Sequence, residues 1–215
     1  MTPEQYRLQC LLYVNGVASQ RESAREMLLA CGPAAIPWII TIAEEKLKEF
    51  YKPGIGYPPF QPLIRYAQLL SEYGEPCCLD LLVRIAQQSP DQGYEEFRKP
   101  LKKLLTFLEA RDDIETITAL VAALRRLRRA ILYQREAVLV AEILVASAER
   151  APWVELHQVR ALLQPSIGTP KEFRILSERL TRALGEENFL PLSAASAPTS
   201  QSLPIPVRAR EENDG

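Results

Sequence analysis

Apolar residues recur at intervals of three and four along most of the chain, from Thr2 to Phe189, and no segment shows the sustained alternation of a strand. At the start of the first helix, Thr2 and Gln5 are placed to cap it and Pro3 occupies its first position. The ten predicted helices cover about residues 3–17, 21–31, 33–50, 63–73, 75–88, 92–110, 112–129, 131–150, 152–163 and 170–184. The pattern therefore predicts an all-α fold.

Two prolines and one apolar run modify this picture. Pro37 falls late for a helix start, so we expect a bend or a tightened first turn there. Pro100 should break the helix around it or begin a new one. The segment 138–145 is apolar on nearly all sides, which predicts a helix buried between neighbours rather than one with a single solvated face.

A junction that ends one helix at a glycine and opens the next within one or two residues occurs twice, at Gly32 and at Gly74. Weaker versions fall near residues 111, 151 and 185, so the five junctions follow at intervals of 42, 37, 40 and 34 residues. Such intervals are typical of stacked helical hairpins. We expect four to five degenerate repeats, and solenoids of this kind usually bind other macromolecules.

The segment Arg65–Pro76 resembles the end of the second helix of a HEAT repeat followed by the start of the next repeat. Ala24–Pro37 is similar, and its Ile36-Pro37 step matches the aliphatic-proline step of the family's first helix. The resemblance implies a right-handed α-solenoid of antiparallel helical hairpins. The chain departs from the family because it lacks regular aspartate and arginine positions in every turn. Armadillo-like or tetratricopeptide-like hairpins remain alternatives for the C-terminal half.

Composition divides the chain into one predicted domain and a tail. We expect the solenoid domain to cover residues 1–191 and the Ser/Ala/Pro-rich tail, residues 192–215, to be disordered because it cannot bury enough apolar area. The longest internal interruption, 51–62, is rich in proline and glycine and carries Tyr57 and Phe60. This loop is either a partner-binding insertion or a stiff connection whose aromatic side chains pack on the adjacent hairpin.

Charge is uneven although the chain as a whole carries a formal net charge of only -1. Residues 98–135 contain ten basic and four acidic side chains, a local net charge of +6 that leaves -7 for the remainder. On a helical wheel the apolar residues from Ile114 to Leu127 share one side, and the arginines that end this helix point away from it.

These arginines and two lysines of the preceding helix are the candidate partner-binding residues: Arg125, Arg126, Arg129, Lys102 and Lys103. The arginines could be a solvated helix end whose charges complement the macrodipole. They could instead hold an acidic segment of a protein partner or, as the alternative function, the phosphates of a nucleic acid. If they bind a partner, replacing the three arginines with alanine should weaken the interaction and reduce its dependence on salt without unfolding the domain.

No motif for catalysis or for a cofactor is visible. His157 is the only histidine and Cys77-Cys78 are adjacent, so neither has the spacing of a metal site, and the four cysteines are expected in the core. No segment reads as a signal peptide or a membrane span. We therefore expect a cytoplasmic, non-enzymatic scaffold, adaptor or regulatory subunit with no cofactor, no membrane contact and no small-molecule ligand.

Overall fold

The computed structural model describes residues 1–50, 61–87, 94–129, 133–151, 156–164 and 170–185. Within these ranges the chain forms ten α-helices and no strand, which confirms the predicted all-α class. The helices are α1 (Pro3–Asn15), α2 (Ala18–Ala30), α3 (Ile36–Phe50), α4 (Gln61–Tyr73), α5 (Leu79–Gln87), α6 (Tyr94–Leu108), α7 (Ile114–Leu127), α8 (Gln134–Arg150), α9 (His157–Leu162) and α10 (Lys171–Leu184). All ten belong to one compact unit, Met1–Leu184.

The ends of the even-numbered helices coincide with the five predicted junctions. Helices α2, α4 and α10 are each followed by a glycine in the left-handed region: Gly32, Gly74 and Gly185, with φ of 60°, 68° and 76°. Only glycine adopts this conformation without a steric cost, so it ends these helices efficiently. The junctions near 111 and 151 lack a glycine; there α6 ends at Leu108 and α8 at Arg150.

Short 3-10 helices follow the first two junctions. They cover Gly32–Ala35 and Pro76–Cys78, and each places its proline in the first turn, where the missing N–H costs nothing. The α-helix proper then begins at Ile36 or at Leu79. The tightened turn expected before Pro37 is therefore confirmed, although α3 begins three residues later than the pattern predicts.

The capping arrangement at the N-terminus of α1 is also confirmed. The backbone N–H of Gln5 donates to Thr2 Oγ1 at 3.3 Å, and the Thr2 N–H donates to Gln5 Oε1 at 2.7 Å. The prediction for Pro100 is wrong, because α6 runs without a break through it. Proline removes one backbone hydrogen bond here, but the buried leucines of α6 pack against α4 and α5 and hold the helix in place.

The helices pack as consecutive pairs: α1 with α2, α3 with α4, α5 with α6, α7 with α8, and α9 with α10. Neighbouring pairs meet through helices two apart in the chain, such as α1 with α3, α4 with α6, α5 with α7 and α8 with α10. Helix α8 lies between α7 and α10, and Val140, Ala141, Leu144 and Val145 are fully buried. Burial of α8 between neighbours is thus confirmed.

Arginines link neighbouring pairs at the ends of the even-numbered helices. Each donates to a carboxylate of an adjacent pair, and two of them also bond a backbone carbonyl. The contacts are Arg25 with Glu72, Arg111 with Glu75 and the Gly74 carbonyl, Arg150 with Asp112 and the Glu109 carbonyl, and Arg179 with Glu149. The chain therefore has a recurring arginine–carboxylate contact between pairs, although the residues that make it occupy no regular sequence position.

Candidate functional site: a cationic groove

A groove of about 500 Å³ is formed by α2, α4 and α6 with the end of α1. Helix α2 contributes two arginines spaced four apart, α6 two lysines spaced four apart, and α4 one arginine and one glutamate. Residues three, four or seven apart share a helix face, so each helix turns a polar stripe toward the same space. The lining residues are Tyr13, Ala18, Arg21, Glu22, Arg25, Arg65, Gln68, Ser71, Glu72, Lys99, Pro100 and Lys103.

The groove carries an excess of positive charge. Five of its lining side chains are basic and two are acidic, which leaves three positive charges in excess. The chain as a whole carries a formal net charge of -1, so the residues outside the groove sum to -4 and the groove differs in sign from the rest of the chain. A concave surface lined by one sign of charge concentrates ligands of the other sign. The geometry therefore suits an anionic ligand.

One carboxylate already occupies part of this positive region. Arg25 Nη2 donates to Glu72 Oε2 at 2.5 Å, and Arg25 Nε donates to Glu72 Oε1 at 3.3 Å. Arg25 also donates to Glu22 Oε1 at 2.8 Å, while Lys103 Nζ lies 3.9 Å from Glu72 Oε1. The hydrogen bond to Glu72 raises the pKa of Arg25 further above its usual value. Glu72 thus forms ion pairs with cations on two other helices, α2 and α6.

The remaining basic residues differ in how far the fold restrains them. Arg21 donates to the Gly16 carbonyl at 3.2 Å and Arg65 donates to the Val14 carbonyl, so both are fixed against the end of α1. Lys99 is exposed and makes no ion pair with any described residue. Burial raises the pKa of Tyr13 to about 12, which keeps its hydroxyl protonated in the groove wall. Lys99 and Lys103 are therefore the cations best placed to meet a ligand.

The predicted candidate residues separate into different surfaces. Lys103 lines the groove, whereas the adjacent Lys102 is exposed on α6 and does not. Arg125 and Arg126 lie exposed near the end of α7, as the helical wheel predicts, and Arg129 is exposed just beyond it. Tyr57 and Phe60 lie outside the described residues.

The arginines near the end of α7 contact neighbouring helices. Arg126 Nε lies 2.8 Å from Asp80 Oδ1 of α5, and Arg125 donates to Gln158 of α9. They therefore meet α5 and α9, whereas Lys103 meets α4. Ile114, which the wheel places on the apolar side of α7, is 45% exposed and departs from that prediction. The basic segment 98–135 does not form one surface.

The four cysteines follow the core prediction only in part. Cys10 and Cys78 are fully buried, Cys31 is half-buried and Cys77 is exposed, so the prediction is wrong for Cys77. A hydrogen bond with the Cys78 side chain lowers the pKa of Cys77 to about 7, whereas burial raises the pKa of Cys10 to about 12. In the described part of the chain, no three His, Cys, Asp or Glu side chains come together as a possible metal site.

A helix that crosses a bilayer needs about 20 predominantly apolar residues, and the described helices differ from this in length or composition. No single one is both long enough and apolar enough. The segments Ala18–Ala30 and Gly32–Glu49 reach the required length and composition only together, and they are bent by 116° at the break between them.

Most of the groove residues were not predicted from the sequence. The spacings Arg21/Arg25 and Lys99/Lys103 were visible as i, i+4 pairs, but such pairs are common on solvated helix faces. Only the packing of α4 against α6, with α1 beside them, brings these stripes together. Nothing in the local pattern of 61–73 marks Glu72 as the shared acceptor.

Comparison with known proteins adds no relative. The chain matches no protein-family model, no curated protein and no solved structure. The fold and the groove therefore define the class on their own: an all-helical protein of consecutively packed helix pairs with a cationic groove on its even-numbered helices.

Proposed function

We propose that this protein is a HEAT-like α-solenoid that acts as a non-enzymatic scaffold or adaptor and binds an acidic segment of a protein partner in the cationic groove. The observation that carries the proposal is that three even-numbered helices, far apart in sequence, contribute basic side chains to one concave surface. Solenoids use such concave surfaces for binding because successive repeats present the same helix face.

The pairwise packing supports the solenoid interpretation. Each helix pair contacts the next through helices two apart, and arginine–carboxylate contacts recur between pairs. A stack in which every unit contacts its neighbours has this arrangement. The junction intervals of 34 to 42 residues agree with a HEAT-like repeat length.

A carboxylate-bearing peptide fits the groove better than a nucleic acid does. The groove contains Glu22 and Glu72, which repel an anion of either kind, so the choice between the two rests on its aromatic content and its size. Its one aromatic residue, Tyr13, is only 7% exposed and offers no face on which a base could stack. A volume of about 500 Å³ holds a few peptide residues but not the width of a duplex.

The groove is also favoured over the arginines near the end of α7. Arg126 is engaged with Asp80 and Arg125 with Gln158, so a partner would have to compete with both contacts. Lys99 makes no ion pair among the described residues, and Lys103 approaches its acceptor only to 3.9 Å. A ligand carboxylate can therefore bind these lysines at a lower cost.

Binding of a model ligand to the full chain tests the proposal. The probe is a fluorescein-labelled octapeptide of alternating serine and glutamate, and its matched control has glutamine in place of glutamate. At about 50 mM salt, fluorescence anisotropy should show that the acidic peptide binds and that the glutamine control does not. The affinity for the acidic peptide should fall as the salt concentration is raised. The double variant K99E/K103E takes the groove from three excess positive charges to one negative and should lower affinity by more than about tenfold.

Two control variants locate the binding surface. K102E changes the charge on the same helix but outside the groove and should lower affinity by less than about threefold, because Lys102 is exposed to solvent and does not line the groove. Replacing Arg125, Arg126 and Arg129 with alanine should leave binding within the same limit. Loss of binding in this triple variant but not in K99E/K103E would contradict the groove, and tighter binding of a single-stranded oligonucleotide would favour the nucleic-acid function.

A further inference from the structure

Glu72 is held in a position that a ligand carboxylate would otherwise take. It projects from α4, its side chain is 18% exposed, and it meets Arg25 of α2 and Lys103 of α6. The contact with Arg25 uses two nitrogens of the guanidinium and both carboxylate oxygens, which is the geometry of bidentate carboxylate recognition. An incoming glutamate side chain could make the same contact.

We infer that Glu72 is a built-in competitor that occupies the anion-binding position of the groove and limits its affinity for acidic segments. The inference rests on the proposed function, since it concerns the same ligand class at the same groove. Arg25 is neutralised by Glu72 and further compensated by Glu22. A free acidic segment therefore meets Lys99, which has no ion pair among the described residues, and Lys103, which Glu72 compensates only at 3.9 Å, but it meets Arg25 only after Glu72 is displaced.

A purely structural role for Glu72 predicts something different. If the residue served only to fasten α2 to α4, removing its charge would loosen the groove and weaken binding or leave it unchanged. As a competitor, it opposes binding through like-charge repulsion and by holding Arg25, so removing its charge should strengthen binding. Only the competitor role therefore predicts tighter binding when the charge of Glu72 is removed.

Glu72→Gln is the direct test because glutamine keeps the size of the side chain and removes its charge. Loss of one partly exposed ion pair removes only a small part of the stability usual for a domain, so the variant should fold. We expect it to bind the acidic octapeptide about tenfold more tightly than the wild-type chain at about 50 mM salt. Its affinity should also depend more steeply on salt, since one more cation is available to the ligand.

Two controls separate this effect from simpler ones. Glu26→Gln makes the same change in net charge on an exposed part of α2 outside the groove, and it should leave affinity within about twofold of wild type. Glu72→Asp retains the charge but shortens the side chain, so it should not reproduce the gain. Thermal denaturation followed by circular dichroism confirms that each variant is folded at the assay temperature.

The outcomes also distinguish this inference from the proposed function. If K99E/K103E abolishes binding but Glu72→Gln binds no more tightly than wild type, the groove is the binding site and Glu72 is not a competitor. If Glu26→Gln gives the same gain as Glu72→Gln, the effect is one of net charge and the inference is wrong. If the wild-type chain and Glu72→Gln both fail to bind the acidic octapeptide, the proposed function and the inference both fail.

Discussion

Replacing Glu136 with leucine should destabilise the protein more than the loss of any surface ion pair. Glu136 on α8 is 1% exposed and Arg98 on α6 is 4% exposed, and Arg98 Nε lies 3.0 Å from Glu136 Oε1. Arg98 also stacks over the ring of Tyr133, with its guanidinium carbon 5.7 Å from the ring centroid. The pair therefore joins α6 to α8 within the core.

The magnitude follows from what the substitution leaves behind. Removing one partner of a buried ion pair typically costs about 3–5 kcal/mol, and in E136L Arg98 would stay buried after losing the carboxylate that lies 3.0 Å from its Nε. Arg98 Nη1 lies 3.9 Å from Glu95, whose side chain is 68% exposed, so solvent is close to one end of the guanidinium. We therefore expect a loss of about 3 kcal/mol, near the lower limit, from a total that is typically about 5–15 kcal/mol.

Urea denaturation followed by far-ultraviolet circular dichroism measures this loss. The double variant R98M/E136L removes both charges and replaces them with apolar groups, so it should recover most of the stability lost in E136L. The exposed pair Arg7–Glu45, whose side chains are 64% and 47% exposed, supplies a control, and E45Q should cost less than about 1 kcal/mol. A loss below about 1 kcal/mol in E136L, or a double variant less stable than E136L, would refute the reasoning.

Two further predictions concern backbone conformation and thiol chemistry. Alanine in the left-handed region costs about 1 kcal/mol, so Gly32→Ala should lower the free energy of unfolding by about that amount. Gly74→Ala should lower the free energy of unfolding somewhat more, because the new Cβ would lie 3.3 Å from Cγ of Phe107, whereas a Cβ at position 32 would meet nothing within 4 Å. Equal losses of stability in thermal denaturation would contradict this expectation. The rate at which iodoacetamide alkylates Cys77 should reach half its maximum near pH 7, because the thiolate is the nucleophile and the pKa of Cys77 is lowered. Cys10 should stay unmodified in the folded protein, because it is buried and its pKa is raised. Mass spectrometry of the labelled peptides checks both expectations, and a midpoint near pH 9 for Cys77 would be evidence against the lowered pKa.

The helices and their ends were predictable because the signals for them are local. Periodicity identifies an apolar helix face, and a glycine at positive φ ends a helix whatever lies around it. Gly32 and Gly74 therefore located two junctions from sequence alone. Pro100 was misread because its cost as a helix breaker is local, while the packing that outweighs it comes from α4 and α5.

The candidate site was largely unpredictable because it depends on which helices meet. Lys103 was identified from its charged segment, but Lys102 shared that segment and lies outside the groove. The difference is one step of about 100° around α6, which matters only once the position of α4 is known. Arg125 and Arg126 showed the converse, since a conspicuous run of arginines is engaged by Gln158 and Asp80.

Lysine footprinting measures the central claim most directly. The full chain is acetylated with a limiting amount of reagent, with and without the acidic octapeptide, and modification is quantified for each lysine by mass spectrometry. We predict that the peptide protects Lys99 and Lys103, which line the groove, and leaves the neighbouring Lys102 unprotected. Equal protection of all three lysines, or protection of Lys102 alone, would contradict binding in the groove.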